Sequence, residues 1–199
     1  MLGQNWRYRI AESFMALIPY VDLKTAPDEV RDAFARLPRK LNLFRMWANA
    51  ATCFLPGMRL GGAILSRQKL KASLRELVVL LVSRLEGGAY EWVQHVPIAE
   101  AAGCTAAQIA ALEADRYDDP AFSACEKTLL RFAREVIEDV RASEDTLKAA
   151  TGFFSPQEIV EIILTCGYYM MLTRLTETTR TDMDTPSGTA VVEELARLR

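Results

Sequence analysis

Apolar residues recur along this chain at intervals of three and four, and stretches in which they alternate with polar ones are almost absent, so the pattern predicts helices. In TAPDEVRDAFARL, residues 25–37, Thr25 precedes Pro27 and acids fill the first turn, as at a helix start; Pro38 is expected to stop it. In LNLFRMWANAATCFL, Leu41, Phe44, Trp47, Ala48 and Ala51 share a face, and Pro56-Gly57 predicts a break before the more polar GGAILSRQKL. A sustained helix is expected from Ser73, in SLRELVVLLVSRLE, with Ser73 and Glu76 spaced as a capping box and Gly87-Gly88 as its end. The next helix should run from about Ala89 to Ala102 and close on Gly103, followed by another opened by a Thr105/Gln108 capping box.

Further on, Asp119 as cap and Pro120 at the first helical position predict a helix with Phe122, Cys125, Leu129, Phe132, Ala133, Val136 and Val140 on its apolar stripe. Ser155, Pro156 and Glu158 repeat that logic ahead of EIVEIILTCGYYMML, whose Tyr168 to Met171 run is expected in the core. DMDTPSG, residues 182–188, reads as a turn or linker before a short terminal helix in TAVVEELARLR. The fold class is all-α: a helical arm over residues 1–66, packed on or exchanged around a bundle of residues 67–199, as a single structural unit.

Composition narrows the function classes. With 24 basic and 26 acidic residues the net charge is -2, which gives no basic footprint for nucleic acid. The first residues lack the unbroken apolar run of a signal peptide, and the longest such run, LVVLLV at residues 77–82, is far short of the roughly 20 residues that cross a bilayer. A soluble cytoplasmic protein without a membrane role is expected. The four cysteines stand singly, without CxxC or metal-ligand spacing, and are expected to be reduced and mostly buried.

The one histidine, His95, lies four residues after Glu91, which places both on one helix face. The glycine pair puts them near a helix N-terminus, where the dipole stabilises a carboxylate and disfavours an imidazolium; a neutral histidine is the state a general base needs. Glu76, on the preceding antiparallel helix, can face the same cleft, with Val79, Val82, Val93 and Trp92 as apolar surround. The bland alternative is a structural polar pair, with Glu76 serving only as a capping residue. Arg84 is either a partner for a substrate carboxylate or an exposed helix-end residue. The E-x-x-x-H spacing matches neither the E-x-x-H of di-iron bundles nor H-E-x-x-H, so no metal is expected.

RELVVLLVSRLEGGAYEWVQHVPIAEAAGCTAAQIAALEA, residues 75–114, resembles the carboxymuconolactone decarboxylase-like, or AhpD-like, superfamily, in a branch marked by Y-E-W-x-x-H. The resemblance covers about residues 41–180. It implies an all-helical homo-oligomer, a homotrimer or homohexamer, with a small-molecule site near a subunit boundary. In the alkylhydroperoxidase branch a glutamate, a C-x-x-C pair and a histidine form a thiol relay; aligned on His95, the two cysteine positions fall on Gly88 and Glu91 and the glutamate on Glu76. Both thiols are missing, so peroxide reduction through that motif is not supported. The decarboxylase branch, a lyase acting on a carboxylated unsaturated lactone without a cofactor, carries an E-x-x-x-H pair that Glu91 and His95 match. That implies His95 as acid/base, Glu76 as its orienter and Glu91 or Tyr90 in contact with a small lactone or enol or keto carboxylate, with Trp92 and Arg84 as further candidate contacts. Two rivals are a redox enzyme using a thiol such as Cys104 and a non-catalytic oligomeric binding protein.

Overall fold

A computed structural model describes residues 15–37, 39–190, 192 and 193. Among these residues every regular element is a helix: α1 Asp28–Arg36, α2 Asn42–Trp47, α3 Ala51–Arg67, α4 Ala72–Glu86, α5 Ala89–Ala101, α6 Ala106–Glu113, α7 Ala124–Glu138, α8 Glu144–Thr151 and α9 Pro156–Thr179. The expected stop at Pro38 and most of the expected terminal helix lie outside the described residues.

At the centre stands α4. Its residues Leu77 to Val82 are all fully buried, which only a helix surrounded on every side achieves. It packs against α5, α6, α7 and α9, and each such side chain contributes roughly 1.5–3 kcal/mol of burial. The apolar residues of α1 to α3 join the same continuous core, through stacked rings of Phe34 and Phe54 (5.2 Å) and the Trp47–Tyr168 contact (6.1 Å) between α2 and α9.

Two expected boxes form in full: Thr105 with Gln108 opens α6, and Ser155 with Glu158 opens α9 behind Pro156. Three other expectations are corrected. The break falls at residues 48–50, where the Asn49 amide donates to the Pro19 and Met46 carbonyls, while α3 runs on through Pro56. Pro56 lies near the start of α3, and Gly57 beside it lets Trp47 pack close: a Cβ there would sit 2.1 Å from the Trp47 ring. Secondly, α4 starts at Ala72 behind Lys71 with no side-chain cap, and Glu76 turns inward. Thirdly, the Asp119 carboxylate accepts from the Ala121 amide in a turn, and α7 starts only at Ala124, behind a full Ser123/Glu126 box. That helix ends at Glu138, which leaves Val140 exposed.

Of the cysteines, all without disulfides, Cys104 and Cys166 are buried, Cys125 is half-buried and Cys53 is exposed. By length and composition alone α9 could cross a bilayer, a helix the run at residues 77–82 did not reveal; half of its most apolar window is packed inside the bundle, as in a core helix.

Candidate functional site

The left-handed Gly87 (φ 74°) closes α4, and the chain re-enters a helix within two residues, so α4 and α5 lie antiparallel. Close packing there depends on Gly88, where a Cβ would come within 2.8 Å of Thr173 and 2.9 Å of Glu91 Oε2.

This hairpin brings Glu76 and His95 together: Glu76 Oε2 lies 2.8 Å from His95 Nδ1. The other oxygen, Oε1, accepts from Arg75 Nε at 3.0 Å and pairs with its Nη2 at 3.0 Å. Burial works to raise the Glu76 pKa, but the combined attraction of His95 and Arg75 outweighs it and holds the carboxyl below its ordinary value. An ionised Glu76 fixes the proton on Nδ1 and leaves Nε2 as the ring nitrogen for chemistry. The Tyr169 ring meets the imidazole edge-on at 4.9 Å.

Glu91 is in a different situation. Burial pushes its pKa up to about 7, against the hydrogen bonding and the pull of His95. The helix N-terminus does not keep it ionised as the sequence suggested; desolvation wins. Its carboxyl faces Thr176 Oγ1 at 3.0 and 3.1 Å, and that hydroxyl also lies 3.2 Å from the Leu172 carbonyl and 3.1 Å from that of Thr173. One hydroxyl proton cannot serve four acceptors; a protonated Glu91 donating to Thr176, which donates onward to the backbone, satisfies the set.

Glu91 and His95 border a cavity of about 50 Å³, against the roughly 10–15 Å³ that one water requires. Its apolar wall differs from the expected one. Val79, Val82 and Trp92 sit in the core, and the wall is built by Leu41, Leu43 and Phe44 of the N-terminal region with Leu65, Ile98 and Leu172. Tyr168 and Tyr169 also line it, so half of the YYMM run borders the pocket.

The stretch expected as a linker crosses this region as a strap. The Asp184 carboxylate accepts from the Tyr90 hydroxyl at 2.5 Å and from the Asn42 amide at 2.7 Å. Gln94 donates to the Asp184 carbonyl at 2.8 Å and accepts from the Ser187 amide at 3.3 Å. Asp182 exchanges hydrogen bonds with Tyr20.

The structure thus gathers Glu76, Glu91, His95 and Tyr90, and does not bring Arg84 or Trp92 to the cavity. Arg84 donates to the Glu113 carbonyl and pairs with Asp115 on the α6 side. Cys104 is held by a bond to the Ser73 carbonyl, and burial raises its thiol to about 11. Sequence reasoning missed Arg75, Thr176, Gln94 and Asp184. Adjacent positions on a helix diverge, so nothing in the spacing pairs Arg75 with Glu76. No cluster of potential metal ligands occurs among the described residues.

The model of the carboxymuconolactone decarboxylase family matches residues 58–135, which include Glu76, Glu91 and His95. No curated protein matches the chain. Among solved structures, an uncharacterized peroxidase-related protein from Ralstonia eutropha with an alkylhydroperoxidase AhpD core is similar at TM-score 0.75 and 17% identity, over 87% of this chain and 94% of that one. The debrominase Bmp8 in complex with 2,3,4-tribromopyrrole is similar at TM-score 0.70 and 14% identity, over 94% and 100%. A protein of unknown function from Agrobacterium tumefaciens gives TM-score 0.63 and 23% identity, over 69% and 95%. At these identities the likeness is one of fold.

Proposed function

From a chain that carries a carboxymuconolactone decarboxylase family segment on an AhpD-like helical fold, we propose a cofactor-independent acid/base enzyme that moves a proton at carbon next to a carbonyl, a decarboxylase-like or isomerase-like reaction on a small lactone or enol or keto compound. The observation that carries the reading is the buried 2.8 Å contact between Glu76 and His95 Nδ1 at the edge of the cavity. With Nδ1–H held by Glu76, His95 Nε2 takes a proton from the substrate carbon and the imidazolium is stabilised by the carboxylate behind it. Electrons move to the carbonyl oxygen, where neutral Glu91, its O–H turned from Thr176 to the substrate, donates a hydrogen bond. Return of the proton from His95 to a different carbon completes an isomerisation. In a decarboxylation no carbon proton is taken; carbon dioxide leaves a substrate carboxylate instead, and its bonding pair runs through the double bond to the carbonyl oxygen. A His95 protonated from solvent then delivers the proton to carbon. No metal or cofactor is needed for either balance.

Peroxide reduction fits these residues poorly. A C-x-x-C pair would need thiols at Gly88 and Glu91, and neither position carries one. Burial keeps the Cys104 and Cys166 thiols protonated, at about 11 and about 12.

Self-association and a soluble cytoplasmic setting belong to the same proposal. Val160, Ile163, Leu164 and Met171 form an outward apolar stripe on α9, each between 41 and 54% exposed, and the cysteines carry no disulfide. Around Gly167 in that stripe the space is open, which suits close approach of a second copy into a homotrimer or homohexamer.

Incubating the protein with a β,γ-unsaturated butenolide in deuterated buffer tests the chemistry by NMR. Isomerisation with deuterium incorporation is expected, slowed about 10²–10⁴-fold in His95→Gln. No reaction above the buffer rate, together with a sharply destabilised His95→Gln, would favour a structural role and a non-catalytic binding protein.

A further inference from the structure

We infer that the cavity beside His95 selects small uncharged molecules, an apolar body carrying one enolisable C–H or acidic O–H or N–H, and rejects carboxylates; this rests on the proton-transfer reading and narrows its substrate class. Polar side-chain atoms of Tyr90, Glu91, Gln94, His95, Tyr168 and Tyr169 border the cavity. Most are already committed: the Tyr90 hydroxyl to Asp184, the Gln94 amide at both ends to the strap, and the Tyr168 hydroxyl to the Gly57 carbonyl at 3.1 Å. What remains to meet a ligand is His95 Nε2, the Tyr169 hydroxyl and the Glu91 carboxyl where it turns from Thr176, none of which is a fixed positive charge.

The described residues that line the cavity include no lysine or arginine. The buried cation nearby, Arg75, spends both its Nε and its Nη2 on Glu76 Oε1. With His95 neutral, as the proton-transfer reading requires of a base, Arg75 and Glu76 balance each other and no net positive charge faces the cavity. A carboxylate entering from water would give up its hydration inside apolar walls, with no charge to offset the loss. A small uncharged molecule gives up little against a lining that includes Leu43, Phe44 and Leu172, and offers its acidic hydrogen to His95. Of the two reactions above, this favours isomerisation of neutral carbonyl compounds.

Calorimetric titration of the full chain with matched pairs tests the inference: cyclohexanone against cyclohexanecarboxylate, and phenol against benzoate, with benzylamine as a cation. The uncharged member of each pair is expected to bind at least about tenfold more tightly. Leu43→Arg, or Leu172→Lys if the first variant loses its circular dichroism, should narrow or reverse the gap by raising affinity for the carboxylates. Equal or tighter binding of the carboxylates, tighter binding of benzylamine, or no binding of any ring probe would overturn it. Exchange of the α-hydrogens of cyclohexanone, followed in the same samples, separates the two ideas. Selective binding without exchange would sink the proton-transfer reading and leave the selectivity standing, whereas exchange inhibited equally by benzoate and phenol would do the reverse.

Discussion

Glu76 and Glu91 are carboxyls buried within one site, and their surroundings move them in opposite directions. For Glu76 two cationic partners overcome burial; for Glu91 burial prevails and the value rises from 4.5 to about 7. The stability consequences occupy separate pH ranges. With the folded value above the unfolded one, the Glu91 contribution is fully present below pH 4.5 and is lost as pH climbs to about 7, a loss on the order of 3 kcal/mol. Glu76, with its folded value lowered, stabilises above 4.5 and loses that contribution only as pH falls further. Glu91→Gln keeps the shape and a hydrogen bond to Thr176 but cannot ionise. Its urea midpoint should therefore exceed that of the wild type at about pH 8 and change less from pH 4.5 to 7; parallel curves for the two proteins would refute the raised value. Spacing alone made Glu91 and His95 legible in the sequence, because i and i+4 share a helix face. The protonation state of Glu91 was not legible, since it is set by burial that only the packed bundle supplies.

At the scale of elements, glycine and capping signals were read well where one local interaction governs and poorly where two compete. Thr105/Gln108 and Ser155/Glu158 form their boxes although Gln108 Nε2 also donates to Glu126 and Lys69 reaches Ser155, because neither contact draws away the capping oxygen of Gln108 or Glu158. Ser73/Glu76 has the same spacing, but Arg75 and His95 offer the carboxylate a charged, buried alternative, and the box is lost. Pro56 misled for a related reason: it lies past the first turn and forfeits a backbone bond, yet the helix continues because the buried face of Phe54, Met58, Gly61 and Gly62 packs on both sides of it. Gly57→Ala pushes a methyl group onto the Trp47 ring, which packs on Phe54 and Tyr168. Thermal unfolding should register a destabilisation of about 1–3 kcal/mol, with a shift in tryptophan emission. The helix α8, which the hydrophobic pattern left unassigned, carried one usable signal, Ser143, whose hydroxyl caps it.

Across the whole molecule, the class of fold and the α4–α5 hairpin were visible from periodicity, while the cavity was not, because its walls come from segments far apart in the chain. The outward stripe of α9 is the surface on which the proposed assembly depends. Ile163→Glu should shift the sedimentation coefficient to that of a single chain without loss of helicity, and an unchanged coefficient would remove α9 from the interface. The strap carries a different consequence, one of order in time. Asp184 meets Asn42 and Asp182 meets Tyr20 across separations of 142 and 162 residues, so both contacts close very long loops. A chain emerging from the ribosome presents both glutamates and His95 well before Asp184, whereas Tyr168, Tyr169 and Leu172 of the cavity wall come only shortly ahead of it. The Glu76–His95 pair is therefore available to form before the strap is made, and the strap's bonds to Tyr90 and Gln94 are added to it afterwards.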